Sequence, residues 1–418
     1  MLQNVSSLLV KFLGAFISYG LTIYISKYFG NEILGYFSFF LSYSLIYTLI
    51  MKFGMEMFLM KWVSTFTAKG EDGKARYLYI KILTYHLIVG SLITILGIIS
   101  TPFIFTNLFP KYANVRFFQI ALSSVFFVNL FAMNYEFIRG KQRVAAYTFY
   151  YTTSIFLIIL LIHLFNDFLH IQNHISLETS YLIAAVISCM ISFIHVWVLM
   201  GKTHSVKVQS FTWGFILRNS FPFFSNNAIF ILIGTTDIFI LSNYVQPGVI
   251  GEYSLLLKFG TFISFPLVVL SGNFAPKILH LKGIDSLNLE IAKLTRIIFI
   301  GSLLLFISAL LLLPYVMKYL NMQIEHGLWI FFMIGFGYLF SSLCAMNEVS
   351  LLMLGQEKLY QKIMLTALLL NFVLNLLLIP YFKQYGAAAS TMVTLIFWNV
   401  LAVYFARKKL QLSTSIIY

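Results

Sequence analysis

The 418 residues are 60% hydrophobic and only 10% charged, against about 25% charged in an ordinary soluble domain. With a mean hydropathy of +0.88, this composition excludes a soluble enzyme and calls for a membrane protein. The net charge of +14 reads as membrane topology and attraction to anionic headgroups, not as nucleic-acid binding.

A hydrocarbon core about 30 Å thick takes roughly 20 apolar residues of helix. Runs of that kind predict about 12 transmembrane helices, over 6–26, 33–51, 82–105, 117–137, 147–166, 179–200, 219–243, 253–275, 294–316, 327–348, 363–381 and 387–406. The runs are continuous and rich in Leu, Ile and Phe rather than alternating, which favours helices over a barrel. Polar Lys27–Asn31 follows the first run with no small-residue cleavage site, so that run is expected to be a retained anchor. With the N-terminus in the cytoplasm, 22 of the 28 basic residues face inward and five outward. This bias predicts an even number of spans and two cytoplasmic termini.

The chain repeats. Ser26-Lys27-Tyr28-Phe29-Gly30 through Gly35-Tyr36-Phe37-Ser38 matches Ser242-Asn243-Tyr244-Val245-Gln246 through Gly251-Glu252-Tyr253-Ser254 at an offset of about 216 residues. A weaker echo pairs Arg139-Gly140-Lys141 with Leu354-Gly355-Gln356. Each match lies at the same loop of a six-span half, so the expected architecture is two six-helix lobes in a parallel pseudo-twofold repeat, typical of transporters. The lobes are expected at 1–200 and 219–406, with a cytoplasmic linker at 201–218 and a basic cytoplasmic tail at 407–418.

Polar groups at membrane depth carry the functional signal, because a charge there costs about 2.5–3.5 kcal/mol on insertion scales. Asp237 and Lys258 fall at a common depth on consecutive spans. They can form a structural salt bridge, or Lys258 can hold an anionic cargo while Asp237 couples an ion. Lys11 lies five residues into the first span, where snorkelling to headgroups also accounts for it. Its counterpart in the repeat is Asn227, beside Asn226, so both halves place a polar group at one inner depth. Glu348 and Glu136 end spans 10 and 4, where solvation accounts for either; Glu348 is kept as a candidate for coupling or gating. Pro266 removes a backbone bond in mid-span 8 and predicts a kink. Ile50 occupies the matching place in the first half, so the two halves are not expected to be mechanically equivalent. Cys189 and Cys344 sit within spans without ligand spacing and read as packing residues. His163 and His195 are expected to be satisfied by carbonyls. His170 and His174, four apart in a short external loop, are a weak metal pattern, and no metal or other cofactor is expected.

Asp237, Gly251-Glu252-Tyr253-Ser254 and Lys258 together resemble the Wzx-type polysaccharide flippases of the multidrug/oligosaccharidyl-lipid/polysaccharide (MOP) exporter superfamily. Lys52-Phe53-Gly54-Met55 followed by Lys61 is similar to that family's segment after span 2, and Phe137-Ile138-Arg139-Gly140 to its span 4 exit. The resemblance implies a MOP-type fold in a bacterial cytoplasmic membrane. It also implies a polyprenyl-pyrophosphate-linked oligosaccharide as cargo, such as an O-antigen or lipopolysaccharide repeat unit. Membrane lipids, and the glycosyltransferases and polymerase of one polysaccharide biosynthesis pathway, are the implied partners. On that reading Lys11, Asn226, Asn227 and Lys258 meet the cargo, and Asp237, Glu348 and Pro266 serve coupling or gating. The alternatives are a multidrug exporter of the same superfamily and a membrane polymerase or glycosyltransferase. The short external loops lack a carboxylate pair for acid–base work, so the chain is not expected to be an enzyme. No phosphate-binding glycine loop is present, so ATP use is not expected.

Overall fold

The computed structural model describes residues 2–112, 114–169, 175–202, 204–278, 284–322 and 324–414, with side chains given from residue 9 onward except at 272–277, 324 and 325. His170 and His174 lie outside the described residues. The described residues are helical, with no strand. In chain order the helices are α1 (Leu2–Tyr28), α2 (Gly30–Lys52), α3 (Met55–Ala68), α4 (Asp72–Asn107), α5 (Val115–Gly140), α6 (Val144–Phe168) and α7 (Leu177–Met200). They continue as α8 (Trp213–Ser242), α9 (Pro247–Phe262), α10 (Phe265–Ile278), α11 (Ile284–Tyr319), α12 (Ile324–Leu343), α13 (Asn347–Met353) and α14 (Glu357–Leu410).

Ten of these are long and apolar enough to cross a membrane, and the bent pair α9–α10 makes 11. The last is a hairpin. Lys383 leaves helical geometry (φ 50°, ψ −126°), and Asn371 Nδ2 donates to Thr394 Oγ1 at 3.2 Å, 23 residues along. A straight helix would place those residues about 35 Å apart, so the two arms run back along each other and the crossings come to about twelve. The protein is a multi-pass membrane protein. Exposed apolar stripes at helical spacing run along Ile88, Leu92, Ile95, Ile99 and Phe103 of α4 and Ile297, Ile300, Leu304, Ile307 and Leu311 of α11, as lipid-facing surfaces require.

The halves repeat in geometry as well as sequence. Helices α4 and α11 each have 36 residues, with an internal proline near the end, Pro102 and Pro314. Each half also ties its fourth and sixth spans by an Asn–Ser bond, Asn134 Nδ2 to Ser192 Oγ at 2.9 Å and Asn399 Nδ2 to Ser341 Oγ at 3.0 Å, at positions the repeat offset does not relate. The second span of each half is followed by a break of two residues and a 14-residue helix, α3 or α10. The first half thus breaks at the same place without a proline. Phe53 (φ 47°) and Gly54 (φ 74°) take left-handed geometry between α2 and α3. A Cβ on Gly54 would lie 2.5 Å from the Ser220 carbonyl oxygen, so glycine is needed for both conformation and space. In the second half the break falls at Ile263 and Ser264, just before Pro266, and the helix bends by 44°. Proline 266 donates no bond to the Phe262 carbonyl, which is how it opens the helix there.

By contacts the chain forms two units. One contains residues 1–24 and 39–231, the other 25–38 and 232–418. The predicted lobes describe the repeat and not these units, because two segments pack outside their own half. In the first unit, the start of α8 lies on the α2–α3 break, with Phe53 stacked on Phe224 (centroids 4.8 Å). The linker is held there too: Phe211 packs edge-on to Trp62 at 4.9 Å, and Lys81 Nζ donates to its carbonyl at 2.5 Å. In the second unit, the turn between α1 and α2 lies against the start of α9.

Candidate functional site

The glycines of the repeated motif meet in the second unit. A Cβ on Gly35 would lie 1.8 Å from the Pro247 carbonyl oxygen, and one on Gly251 would lie 2.1 Å from that of Asn31. Each glycine thus packs on the residue four places before the other. Only glycine allows backbones this close. Around the crossing, Asn31 Nδ2 donates to Glu252 Oε1 at 3.1 Å, and Lys27 Nζ donates to the Tyr319 carbonyl at 3.0 Å while lying over its ring. Lys258 is half-buried and lies two turns beyond Gly251 on the same face of α9.

Asp237 is buried on α8, 3% exposed. Its Oδ2 accepts from the Tyr253 hydroxyl at 2.6 Å and its Oδ1 from the Ile238 N–H at 2.8 Å. The partner of Asp237 is therefore a tyrosine on α9 and not Lys258. Tyr253 also bonds Thr391 of α14. Thr391 in turn lines a cavity of about 190 Å³, with Thr261, Tyr338, Asn371 and Thr394 on its polar side and Leu257, Leu395 and Trp398 on its apolar side. That space suits several waters or a small hydrated ion. Its polar wall is a chain of bonds from Asn375 to Asn371 (3.0 Å) to Thr394 (3.2 Å), and Asn375 Oδ1 is buried without a partner.

In the first unit, Lys11 is half-buried and lies across α1 from exposed Leu9, Leu13 and Phe16. Asn226 is exposed. Asn227 donates from Nδ2 to Glu56 Oε1 at 3.3 Å. Glu56 is 6% exposed and its Oε2 has no hydrogen-bond partner. Burial pushes its carboxyl above the usual carboxylate range, with Lys52 opposing. Glu136 is 5% exposed, not solvated as the sequence led us to expect; it pairs with Arg139 at 3.4 Å. Glu348, in the second unit, is exposed and bonds Tyr360. His163 and His195 meet hydroxyls rather than carbonyls, those of Ser180 (3.0 Å) and Tyr150 (3.2 Å). Both cysteines are free and buried.

Sequence reasoning passed over Glu56, Asn371, Asn375, Thr391 and Thr394. Glu56 stood just beyond a predicted span, where a charge draws no notice. The Asn371/Asn375 pair, four apart within one span, was the available signal for the polar wall.

No family profile and no curated protein matches this sequence. Among solved structures, the chain is similar to the lipid II flippase MurJ in an inward closed conformation (TM-score 0.74, 16% identity, 97% of this chain and 87% of that one). It is also similar to a multidrug resistance MATE family transporter of the MOP superfamily in an inward-facing conformation (TM-score 0.75, 11% identity, 98% of each chain). A MOP superfamily transporter from Pyrococcus furiosus aligns at a TM-score of 0.61 with 12% identity over 98% and 95% of the two chains. The chain shares its fold with these solved structures, a lipid II flippase and two transporters of the MOP superfamily.

Proposed function

We propose that the protein is a Wzx-type flippase that moves a polyprenyl-pyrophosphate-linked oligosaccharide from the inner to the outer leaflet of a bacterial cytoplasmic membrane by alternating access. The observation that carries this reading is Lys258, a cation at membrane depth on the Gly251 face of α9. A lysine there favours an anionic headgroup over a cationic drug. Lys11, Asn226 and Asn227 meet the cargo from the first unit. Asp237, linked through Tyr253 and Thr391 to the cavity, couples movement to a proton or small cation, and the breaks at Gly54 and Pro266 let the second spans flex. Glu348 takes part in gating through Tyr360. The likeness to a lipid II flippase supports a lipid-linked cargo; the equal likeness to a multidrug transporter supports the second reading, a drug exporter.

The test is a leaflet-accessibility assay in proteoliposomes carrying a fluorescent polyprenyl-pyrophosphate oligosaccharide. The protein should speed its loss from the outside-accessible pool or its appearance there, and Lys258→Ala should abolish the gain. Unchanged movement in Lys258→Ala, with normal insertion, rejects the role of Lys258. Transport of rhodamine 6G in place of the glycolipid favours the exporter.

A further inference from the structure

Three tyrosines gather in the first unit at the cytoplasmic end predicted for α5 and α6. Tyr135 lies with its ring 5.8 Å from Tyr147 and 5.6 Å from Tyr151. Tyr147 and Tyr151 stack at 5.6 Å, within 10° of parallel. The Arg139 guanidinium covers the Tyr147 ring at 4.8 Å, and Glu136 holds that arginine. Among the described residues no hydrogen bond is made by the hydroxyls of Tyr135, Tyr147 and Tyr151, whereas elsewhere in this unit Tyr79 donates to Asn134 at 2.7 Å and Tyr24 to Asp167 at 2.6 Å.

Tyrosines near a membrane surface often face the headgroups. This cluster faces the other way. Tyr151 is the second residue of the π-helical segment Tyr150–Ser154, whose wide turn rotates the rest of α6. Allowing for that turn, Tyr151 falls on the side of buried Ile159, His163 and Asn166 and opposite exposed Leu161, Leu164 and Phe168. It is nevertheless 60% exposed. Its ring is therefore open on the side of α6 that carries buried and polar residues, away from the exposed stripe of Leu161, Leu164 and Phe168. Buried Glu136, next to Tyr135 on α5, pairs with Arg139 at 3.4 Å, and carboxylates do not face lipid tails.

We infer that Tyr135, Tyr147 and Tyr151, with Arg139 and Glu136, form a carbohydrate subsite that binds a sugar ring of the cargo by stacking on Tyr151. This rests on the proposed flippase function and gives it a sugar-recognising element. A pyranose has an apolar C–H face and a rim of hydroxyls. The free ring face of Tyr151 matches the first, and the unspent tyrosine hydroxyls and the Arg139–Glu136 pair match the second. The carboxylates and aromatic rings would also suit an organic cation, but Arg139 already occupies that place over Tyr147. A neutral sugar fits the remainder.

The test uses the full chain in detergent and three probes: citronellyl pyrophosphate, the same lipid carrying N-acetylglucosamine, and rhodamine 6G. Calorimetric titration should show the sugar tightening binding of the pyrophosphate by about tenfold. Tyr151→Ala should remove that gain and leave the bare pyrophosphate affinity unchanged. Tyr151→Phe, which keeps the ring, should retain most of it. The inference is overturned by a wild type that gains nothing from the sugar, by Tyr151→Ala and a Tyr147→Ala/Tyr151→Ala double variant that both keep the full gain, or by loss of rhodamine binding in place of sugar binding. Failure of the wild type to bind bare citronellyl pyrophosphate overturns the flippase reading itself.

Discussion

Replacing Gly251 by alanine puts a methyl group where the structure has none to spare. The new Cβ would lie 2.1 Å from the Asn31 oxygen, against a minimum near 3.0 Å. The start of α9 must then move off the α1–α2 turn by about 1 Å, since backbone cannot yield as a flexible side chain would. The same shift stretches the Asn31–Glu252 bond, now 3.1 Å, toward the limit of a useful hydrogen bond. Overpacking of this kind costs about 1–3 kcal/mol. In a transporter that alternates between states, a crossing present in one state alone passes that whole cost to the equilibrium between them, a factor of roughly 5 to 150. Lys258 lies two turns beyond the crossing, so Lys258→Cys reports its opening; Cys189 and Cys344 are buried and leave a low background. Maleimide labelling from the external side in intact cells should run about 5- to 150-fold faster in Gly251→Ala/Lys258→Cys than in Lys258→Cys alone, and Gly35→Ala should act likewise. Equal labelling rates in correctly inserted protein would show that the glycine crossing does not separate during the cycle.

Asp237→Asn keeps the size and the Tyr253 hydrogen bond but removes the charge; the protein should insert and melt normally while coupled transport in proteoliposomes falls at least about tenfold, and a normal rate rejects Asp237 as the coupling group. Tyr253→Phe leaves Oδ2 of a buried carboxylate unpaired and should lower stability by about 1–3 kcal/mol in denaturant titration. For Glu56 the folded carboxyl lies above its usual range, so folding favours the neutral form. Its contribution is fully present below the ordinary carboxylate pKa and is lost as pH rises through the raised value. The thermal midpoint of the wild type should therefore fall from pH 5 to pH 8 relative to Glu56→Gln, and parallel curves would place the strain elsewhere. Pro266→Ala restores a donor to the Phe262 carbonyl and should reduce the 44° bend, read as a changed distance between spin labels on α9 and α10.

The fold was legible because each span is a continuous apolar run and each half repeats the same few loop residues. Even the Gly35/Gly251 motif was visible, though not its reason, which is a backbone approach between segments over two hundred residues apart. The break at Phe53–Gly54 was hidden because no proline announces it; positive φ at a phenylalanine leaves no mark in composition. Glu136 read as solvated because it ends a span beside Arg139, while in three dimensions α3 and α6 bring burial to it. The polar wall of Asn371, Asn375 and Thr394 was hard to see because uncharged polar residues are cheap enough in helices to pass as packing.

The symmetry of the chain is one of backbone geometry and not of charge. Paired glycines at the crossing and broken second spans recur in both halves. At the repeat offset, Asp237 corresponds to Leu21, 1% exposed, and Lys258 to Ser42, 5% exposed. A duplicated scaffold supplies two similar flexing elements, which alternating access requires. Charges found in one copy alone break the equivalence, so the roles proposed for cargo and coupling fall on them first. On this argument the residues to mutate first are those whose repeat partner is apolar or neutral: Asp237, Lys258 and Lys11, whose partner is Asn227. A residue that recurs in both halves, such as Gly35, should affect the rate of switching without changing which cargo is carried.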